Sequence, residues 1–302
     1  MDIGSNSVLL LVARAEGGRI VEILADGSEI TRLGEGVDQT ECLGRAPIAR
    51  TLAAASRFGH QARELGVEKL WIITTSAVRE ASNREQFLER VRGEVGGDVE
   101  VLSGQEEAER AFLGVQSNEC FQSSPLLVMD VGGGSTELIL GAEGQIEQSA
   151  SLPIGCVRLA ERLLGENPVS DEALNRALDF AREFLSSHLR DREVRDRLLV
   201  GTGGTATTLA AVDQKLTTYA REKVDGYVLS GERVGELLER LRQMDLEART
   251  KVPGLAPKRA DVIVAGIVIF RAALETWGRE QLAVSDRGVR YGTILKRLAE
   301  RR

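Results

Sequence analysis

The chain has 302 residues, a formal net charge of −7 and an apolar content of 42%. This length can form two domains or one large one, and the composition is that of an ordinary globular protein. The negative charge argues against a general nucleic-acid-binding protein. No apolar run is long enough to span a bilayer, so we expect no membrane partner.

Few cysteines and histidines are present, and this limits the chemistry. Cys42, Cys120 and Cys156 are far apart and odd in number. That argues against a disulfide framework or a zinc site and favours a reducing, cytoplasmic location. With only His60 and His188, neither a histidine-ligated metal nor a Ser-His-Asp triad is expected. A metal ion would be held by oxygen ligands, which favours Mg²⁺, Mn²⁺ or Ca²⁺.

Apolar periodicity predicts strands that alternate with helices. The predicted strands are 7–15, 19–24, 70–75, 99–103, 126–131, 137–140, 145–152 and 281–285, and residues 197–204 are predicted to be a strand that runs into a glycine turn. The predicted helices are 82–95, 105–116, 171–189, 230–243, 258–277 and 288–300. A further helix is predicted to begin at Thr205. This mixture of β-meander and βα patterns predicts an α/β protein whose sheets are covered by helices.

An internal repeat is the most informative feature. The segment DIGSNSVLLLV at residue 2 aligns without gaps with DVGGGSTELIL at residue 130, so that Asp2 and Gly4 correspond to Asp130 and Gly132. Two copies of strand-turn-strand predict a duplicated domain, with residues 118–125 as the linker. The second copy has apolar strand residues before its aspartate, whereas the first has only Met1. We therefore expect the natural protein to start upstream of Met1, and a short first strand to weaken metal binding at Asp2.

The two turns have the composition of phosphate-binding sites. Turns rich in Gly and Ser present backbone N–H groups that form an anion-binding concavity, and a third such turn leads into a helix within GTGGTATTLAAV at 201–212. An aspartate would repel phosphate, so Asp2 and Asp130 are interpreted as Mg²⁺ ligands. Ordinary turns remain the alternative for any single copy. The predicted phosphate-binding residues are Gly4, Ser5, Asn6, Ser7, Gly132, Gly133, Gly134, Ser135, Thr136, Gly203, Gly204 and Thr205.

Six motifs together identify a family resemblance. They are TSAVREA (75–81), SGQEEAERAFLGV (103–115), DVGGGSTEL (130–138), LPIGCVRL (152–159), GTGGTATTLAA (201–211) and VSDRGVRYG (284–292). In this order they resemble the exopolyphosphatase / guanosine pentaphosphate phosphohydrolase family, in the superfamily of actin, heat-shock chaperones and sugar kinases. The resemblance covers nearly the whole chain and corresponds to the short form, without the extra C-terminal helical domain.

The resemblance implies two ribonuclease-H-like (actin-like ATPase) lobes with the active site in the interdomain cleft. Lobe I would comprise residues 1–122 and lobe II residues 123–287, and the final helix, 288–302, is expected to pack back on lobe I. A homodimer is compatible with the resemblance, although the sequence itself does not show one.

The family's catalytic glutamate lies in a Glu-Glu-Ala motif, here Glu106-Glu107-Ala108. Ser103 and Glu106 have the spacing of a capping box, which gives Glu106 a structural task. Glu107 borders the apolar face of the helix, and the family pattern also places the base directly before Ala. Glu107 is therefore expected to be the general base that activates water.

Other family positions supply the remaining roles. Arg79 matches the arginine that contacts phosphate and stabilises charge in the transition state. Glu137 matches a carboxylate near the metal and the attacking water. Arg259 and Arg287 lie in family-like segments and could line the path of the anion. One departure stands out, because Asp225 replaces a histidine expected before the glycine of DGYVL.

The expected function is Mg²⁺-dependent (or Mn²⁺-dependent) release of orthophosphate from inorganic polyphosphate. Basic stretches at 249–259 and 287–302 are either solvated helix ends or a rim for this polyanion. The alternative substrate is guanosine pentaphosphate, a nucleotide of the stringent response. More distant alternatives are a small-molecule kinase of the same superfamily and a non-catalytic actin-like scaffold, and Glu107 and Arg79 argue against the scaffold.

Overall fold

A computed structural model describes residues 1–301 as a mixed α/β protein. The strands are β1 (Asp2–Ile3), β2 (Ser7–Glu16), β3 (Arg19–Ile30), β4 (Trp71–Thr74), β5 (Asp98–Val101), β6 (Leu126–Val131), β7 (Thr136–Ala142), β8 (Gln145–Leu152), β9 (Leu198–Thr202), β10 (Val228–Ser230) and β11 (Gln281–Val284). The helices are α1 (Val37–Thr40), α2 (Arg45–Glu64), α3 (Ser76–Glu80), α4 (Arg84–Glu94), α5 (Gly104–Gln116), α6 (Cys156–Leu159), α7 (Asp171–Ser186), α8 (Asp191–Val194), α9 (Gly203–Asp213), α10 (Arg221–Val224), α11 (Gly231–Arg242), α12 (Leu246–Thr250), α13 (Ile263–Thr276) and α14 (Val289–Ala299).

The chain divides into two compact units. The first unit comprises Met1–Gly114 together with the chain from Val289 onward, so it includes α14. The second unit is Val115–Gly288. The division falls within α5, earlier in the chain than the boundary after residue 122 that the sequence suggested.

The first unit is built on a five-stranded sheet of order β3-β2-β1-β4-β5. The short β1 is antiparallel to β2 and parallel to β4, and Asp2 lies opposite Leu9 on one side and Ile73 on the other. Helix α2 covers this sheet with a small-residue face that includes the buried Ala55 and Ala62. Small side chains allow close approach, and this brings the helix backbone near the sheet.

The second unit is built on a six-stranded sheet of order β10-β11-β9-β6-β7-β8. Its central strand β6 is antiparallel to β7 and parallel to β9. Helix α13 is buried along nearly its whole length because it is apolar on every side, as Val264, Ile267 and Phe270 illustrate. It forms part of the large apolar core of this unit.

The two sheets share one arrangement of strands. In the first unit a meander, β1-β2-β3, is extended by the parallel strand β4. In the second unit the meander β6-β7-β8 is extended in the same way by β9. The predicted α/β class with two mixed sheets is therefore confirmed, and the sequence repeat corresponds to a repeated topology.

Several element predictions need correction. Strand β3 extends to Ile30 instead of residue 24, and α13 begins at Ile263 instead of residue 258. The long helix α2, Arg45–Glu64, was not predicted. Helix α9 begins at Gly203 rather than at Thr205, because both glycines belong to its first turn. Within residues 1–301, no helix is both long enough and apolar enough to cross a membrane.

Candidate active site

The two predicted phosphate turns close in the same way. In the first unit the Gly4 N–H donates to the carbonyl oxygen of Ser7 at 2.9 Å, and in the second the Gly132 N–H donates to that of Ser135 at 3.0 Å. Each turn directly follows a strand that carries an aspartate, Asp2 on β1 or Asp130 on β6. The equivalence seen in the sequence therefore extends to the hydrogen bonding of the turns.

A row of polar side chains crosses the second sheet beside its turn. Asp130 lies directly opposite Glu137 on β7 and Thr202 on β9, and directly opposite residues project from the same face of a sheet. Both carboxylates are buried, with Asp130 at 8% and Glu137 at 1% exposure. Ser151 on β8 extends the row, and its Oγ donates to Glu137 Oε1 at 2.8 Å.

Ser151 and Thr202 were not among the predicted site residues. The register places both in the row with Asp130 and Glu137. Thr202 Oγ1 is buried and has no hydrogen-bond partner within the described residues. The available sequence signal was the alternation of side chains along β8 and β9, but it identifies neighbours only when the register is known.

The start of α9 approaches Asp130 closely. Gly203 has φ of 82°, and a Cβ added there would lie 2.6 Å from Asp130 Oδ1. A glycine is therefore required both by the backbone conformation and by the neighbouring carboxylate. This contact brings the predicted third phosphate turn beside the second one.

Arg259 lies against the same helix start. A Cβ added at Gly204 would be 2.1 Å from Arg259 Nη1, so the guanidinium rests on the helix backbone. Burial lowers the pKa of Arg259. No hydrogen bond or ion pair of this side chain is found in residues 1–301, which leaves its donors available to an anion.

Two hydroxyls of the predicted phosphate set have other partners. Thr136 Oγ1 donates to the carbonyl oxygen of Ile154 at 2.5 Å. Ser5 Oγ is 2.8 Å from Ser76 Oγ and accepts from the Ala77 N–H at 3.2 Å, so it caps the start of α3. In this structure both hydroxyls hold the turns in place instead of extending their set of donors.

In the first unit, Asp2 and Asn6 are buried with unsatisfied polar atoms. Asp2 Oδ1 and both amide atoms of Asn6 have no hydrogen-bond partner within the described residues. Burial raises the pKa of the Asp2 carboxyl to about 6, and the nearby Met1 amino group and Arg290 oppose that rise. A buried carboxylate without a hydrogen-bond donor is a fitting ligand for a cation.

The two neighbouring glutamates of α5 have separate tasks. Ser103 receives Glu106 as in a capping box, with 2.8 Å from the Ser103 N–H to Glu106 Oε2 and 3.2 Å from the Glu106 N–H to Ser103 Oγ. The Ser103 hydroxyl, which donates to Glu106 Oε2 at 2.7 Å, and the Ser103 N–H lower the pKa of the Glu106 carboxyl. The predicted structural role of Glu106 is confirmed. Glu107 is buried and lies 3.0 Å from Arg79 Nη1, so these two predicted catalytic residues are adjacent.

Arg287 is held by other residues of the second unit. Its Nε lies 3.1 Å from Asp225 Oδ2, and its Nη1 donates to the carbonyl oxygen of Ser117 at 2.8 Å. Asp225 therefore supplies a carboxylate that fixes Arg287 where the family resemblance led us to expect a histidine. The next residue, Gly288, packs against Thr202, because an added Cβ would be 3.1 Å from Thr202 Oγ1.

Several residues of the two basic stretches have partners within the fold. Arg249 is fully buried and donates to the carbonyl oxygens of Leu241, Met244 and Ala260. On α14 the basic side chains form ion pairs: Arg290 with Asp26, Lys296 with Glu109, and Arg297 with Glu100. These contacts stabilise the fold. Arg259 is better suited to bind an anion than these four side chains, which already have partners.

The carboxylates of the site fit a metal ion only together with other ligands. No group of three or more His, Cys, Asp or Glu side chains in the described part of the chain is arranged to hold a metal ion. Mg²⁺, however, usually keeps several waters and is bound through one or two carboxylates plus substrate phosphates. The adjacent pair Asp130 and Glu137 provides such a donor set, so these residues fit a magnesium ion that binds together with phosphate.

Comparison with known proteins shows the family to which the chain belongs. The model of the Ppx/GppA phosphatase family matches residues 11–301. The chain belongs to the Ppx/GppA phosphatase family. It is 34% identical over 308 residues to exopolyphosphatase 2 of Mycobacterium tuberculosis, covering 98% of this chain and 96% of that protein.

Solved structures of family members have the same fold. The crystal structure of the Aquifex aeolicus Ppx/GppA member superposes with a TM-score of 0.83 at 34% identity, covering 99% of this chain and 96% of that one. An exopolyphosphatase from Cytophaga hutchinsonii gives a TM-score of 0.90 at 28% identity, with coverage of 99% and 96%. The predicted family is thus confirmed along the whole chain, and membership makes this protein a phosphatase.

Proposed function

We propose that this protein hydrolyses the terminal phosphoanhydride of inorganic polyphosphate and releases orthophosphate with the help of Mg²⁺. The observation that carries the proposal is the buried pair Asp130 and Glu137 beside a glycine-rich turn. Carboxylates next to a phosphate turn favour a metal-bound polyanion over a bare phosphate. The relatives named exopolyphosphatase support the same substrate class.

Residues of this chain would perform the proton transfer and bind the phosphate. Glu107 accepts a proton from the attacking water, whose oxygen forms the new bond to the terminal phosphorus. The bridging P–O bond breaks, and its oxygen leaves with the shortened chain. Arg79 holds the Glu107 carboxylate through its 3.0 Å contact. When bound to Asp130 and Glu137, a magnesium ion would neutralise negative charge on the phosphate oxygens.

The turns and Arg259 would hold the phosphate itself. Backbone N–H groups at the two turns of the second unit, at Gly132 and Gly203, would donate to phosphate oxygens without a net charge of their own. The helix N-terminus at Gly203 and Gly204 adds partial positive charge, and the Arg259 guanidinium lies directly against it. The preference for polyphosphate over a nucleotide rests on the relatives named exopolyphosphatase.

The test is a side-by-side measurement of phosphate release from long polyphosphate, tripolyphosphate and guanosine pentaphosphate. Each substrate is assayed with Mg²⁺, with Mn²⁺ and with EDTA, with no acceptor molecule present. We expect the highest kcat/KM for long polyphosphate and loss of activity in EDTA. A higher kcat/KM for guanosine pentaphosphate would overturn the substrate assignment, and undiminished activity in EDTA would overturn the metal requirement.

A further inference from the structure

A short segment docks onto the carbonyl side of the second phosphate turn. We name residues 154–158, which include the start of α6, the second brace. Its N–H groups reach two successive turn carbonyls: Cys156 donates to Gly132 at 2.9 Å, and Val157 donates to Gly133 at 2.9 Å. Arg158 adds a longer bond to the Gly133 carbonyl at 3.2 Å. The first two carbonyl oxygens of the turn, those of Gly132 and Gly133, are thereby fixed.

Fixing these carbonyls also fixes the direction of the turn's N–H groups. In a trans peptide the C=O of one residue and the N–H of the next point in opposite directions. Because the Gly132 carbonyl points to Cys156, the Gly133 N–H points away from the brace. The same relation directs the Gly134 N–H away, because the Gly133 carbonyl is bonded to Val157. Two successive N–H groups directed this way form an anion-binding concavity.

The brace fits only because of a glycine and a hydroxyl. A Cβ added at Gly155 would lie 2.4 Å from the Gly133 carbonyl oxygen, a distance that real side chains do not reach. Thr136 Oγ1 donates to the Ile154 carbonyl and ties the brace to β7. The brace is therefore held against the turn by a close backbone approach and a buried hydrogen bond.

The same device recurs in the first unit. Residues 31–34, the first brace, follow β3 as the second brace follows β8. Gly34 donates to the Ser5 carbonyl at 2.7 Å, and Thr31 and Arg32 both donate to the Asn6 carbonyl at 3.0 Å. A Cβ added at Gly34 would be 3.0 Å from Ser5 Cβ. Neither brace is part of the aligned sequence repeat, so the structural repeat is longer than the aligned segments.

We propose that the two braces are positioning elements that orient the turns' N–H groups toward the oxygens of a terminal phosphate. This inference rests on the proposed function, because it assumes that the turns bind phosphate. The braces touch no substrate themselves. Their contribution would be preorganisation, since donors already aligned do not have to be ordered when the anion binds.

The decisive variant removes one hydrogen-bond donor. Cys156 is the first residue of α6, a position at which proline is tolerated because helix geometry is kept. The preceding Gly155 has φ of −135° and ψ of 169°, an extended conformation that is compatible with a following proline. Cys156→Pro therefore deletes the N–H that holds the Gly132 carbonyl and places the proline Cδ where that N–H pointed, so the carbonyl loses its bond and has to turn away from the brace. Cys156→Ala keeps that N–H and serves as the reference for loss of the thiol.

The control is the same substitution at a helix start whose hydrogen bonds, among the described residues, do not involve the turns. Asp171 is the first residue of α7, and Ser170 before it is also extended, with φ of −68° and ψ of 157°. We expect Cys156→Pro to raise the KM for tripolyphosphate about tenfold relative to Cys156→Ala, with a smaller change in kcat, because ground-state phosphate contacts are lost. Asp171→Pro should keep the KM of the unmodified protein.

The possible outcomes distinguish failure of the positioning role from failure of the proposed function. A KM for Cys156→Pro equal to that for Cys156→Ala overturns the positioning role, even if the melting temperature falls. Absence of phosphate release from the unmodified protein instead contradicts the proposed function. If Cys156→Pro does not fold, Gly34→Ala tests the first brace, with the open helical site Gly93→Ala as its control. An unchanged KM in Gly34→Ala then overturns the proposal.

Discussion

Arg79 joins the predicted general base to the strand that precedes its helix. Its Nη1 lies 3.0 Å from Glu107 Oε2 and also donates to the carbonyl oxygen of Leu102 at 2.8 Å. Leu102 follows β5 and Glu107 belongs to the first turn of α5. One guanidinium nitrogen therefore fixes the carboxylate relative to its own backbone, and this makes Arg79 a positioning residue as well as a candidate phosphate ligand.

The two adjacent glutamates of α5 provide a matched test of the proposed base. Glu107→Gln removes the proton acceptor with almost no change in shape, so we expect kcat for polyphosphate to fall about 10²–10⁴-fold. Glu106→Gln is the same substitution one residue earlier. Because glutamine also serves in a capping box, it should retain both activity and stability. Equal activity in Glu107→Gln and the unmodified protein would rule out Glu107 as the base.

Glycine at position 203 is predicted to be needed for the geometry of Asp130. Gly203→Ala would place a methyl group 2.6 Å from Asp130 Oδ1 at a φ of 82°. We expect a loss of about tenfold to a hundredfold in kcat/KM, because small displacements of site groups have effects of this size. Phosphate release and thermal unfolding should be measured together.

Gly278→Ala is a control that has the backbone strain of Gly203→Ala but lacks the collision of the added methyl group with Asp130. Gly278 also has positive φ, 56°, but no atom lies within 4 Å of the added Cβ. Both variants should lose about 1–2 kcal/mol of stability from the left-handed conformation alone. Only Gly203→Ala should also lower kcat/KM. Equal kcat/KM values in the two variants would contradict a specific effect of the contact with Asp130.

The buried Asp2 carboxyl should give the metal-free protein a distinctive pH dependence. Burial raises its pKa from 3.8 to about 6, so its contribution to stability is present below about 4 and lost as the pH rises through about 6. In EDTA, Asp2→Asn should match the unmodified protein at pH 4 and exceed it at pH 7 by about 2–3 kcal/mol. The measurement is urea unfolding at both pH values.

Magnesium should reverse that order at pH 7. A cation bound to the ionised carboxylate stabilises the folded state by mass action, so Mg²⁺ should raise the melting temperature of the unmodified protein more than that of Asp2→Asn. The same increase in both proteins would show that Asp2 takes no part in binding the ion, and would leave Asp130 and Glu137 as the ligands to examine.

Local patterns predicted much of the fold and site, whereas features that depend on register did not follow from them. Strands β6 and β8, the repeat and the capping box of Glu106 agree with the sequence because each depends on residues close together in the chain. The pairing of Glu137 with Ser151 could not be predicted from such local patterns. The tight turn from Ala142 to Gln145 would place Ala150 opposite Glu137, but an irregularity between Leu140 and Gly141 shifts the register by one residue.

The missed helix and the buried arginines have other physical reasons. Helix α2 contains Pro47 in its first turn, where proline is tolerated, and it buries alanines in place of a strongly apolar stripe. Arg249 is charged but fully buried, because the carbonyl oxygens of Leu241 and Ala260 and the side-chain oxygen of Asn167, which is distant in the chain, accept its hydrogen bonds. Neither a weak apolar face nor a tertiary partner is visible in a single sequence.

The Asp225–Arg287 pair can be tested by a double-mutant cycle. Arg287 Nε lies 3.1 Å from Asp225 Oδ2, and the Asp286 N–H donates to Asp225 Oδ1 at 3.1 Å. Asp225→Asn and Arg287→Gln should each lose about 1–3 kcal/mol of unfolding free energy, because a mostly buried charged group loses its partner.

The double variant should lose less than the sum of the two single losses, with a coupling of about 0.5–3 kcal/mol. The exposed pair Asp191–Arg195, at 3.4 Å, serves as the control and should give a coupling of about 0–1 kcal/mol. In the same proteins Arg287→Gln should alter stability more than the KM for polyphosphate, because its guanidinium is held by Asp225 and Ser117. A large rise in KM without loss of stability would instead place Arg287 on the path of the anion.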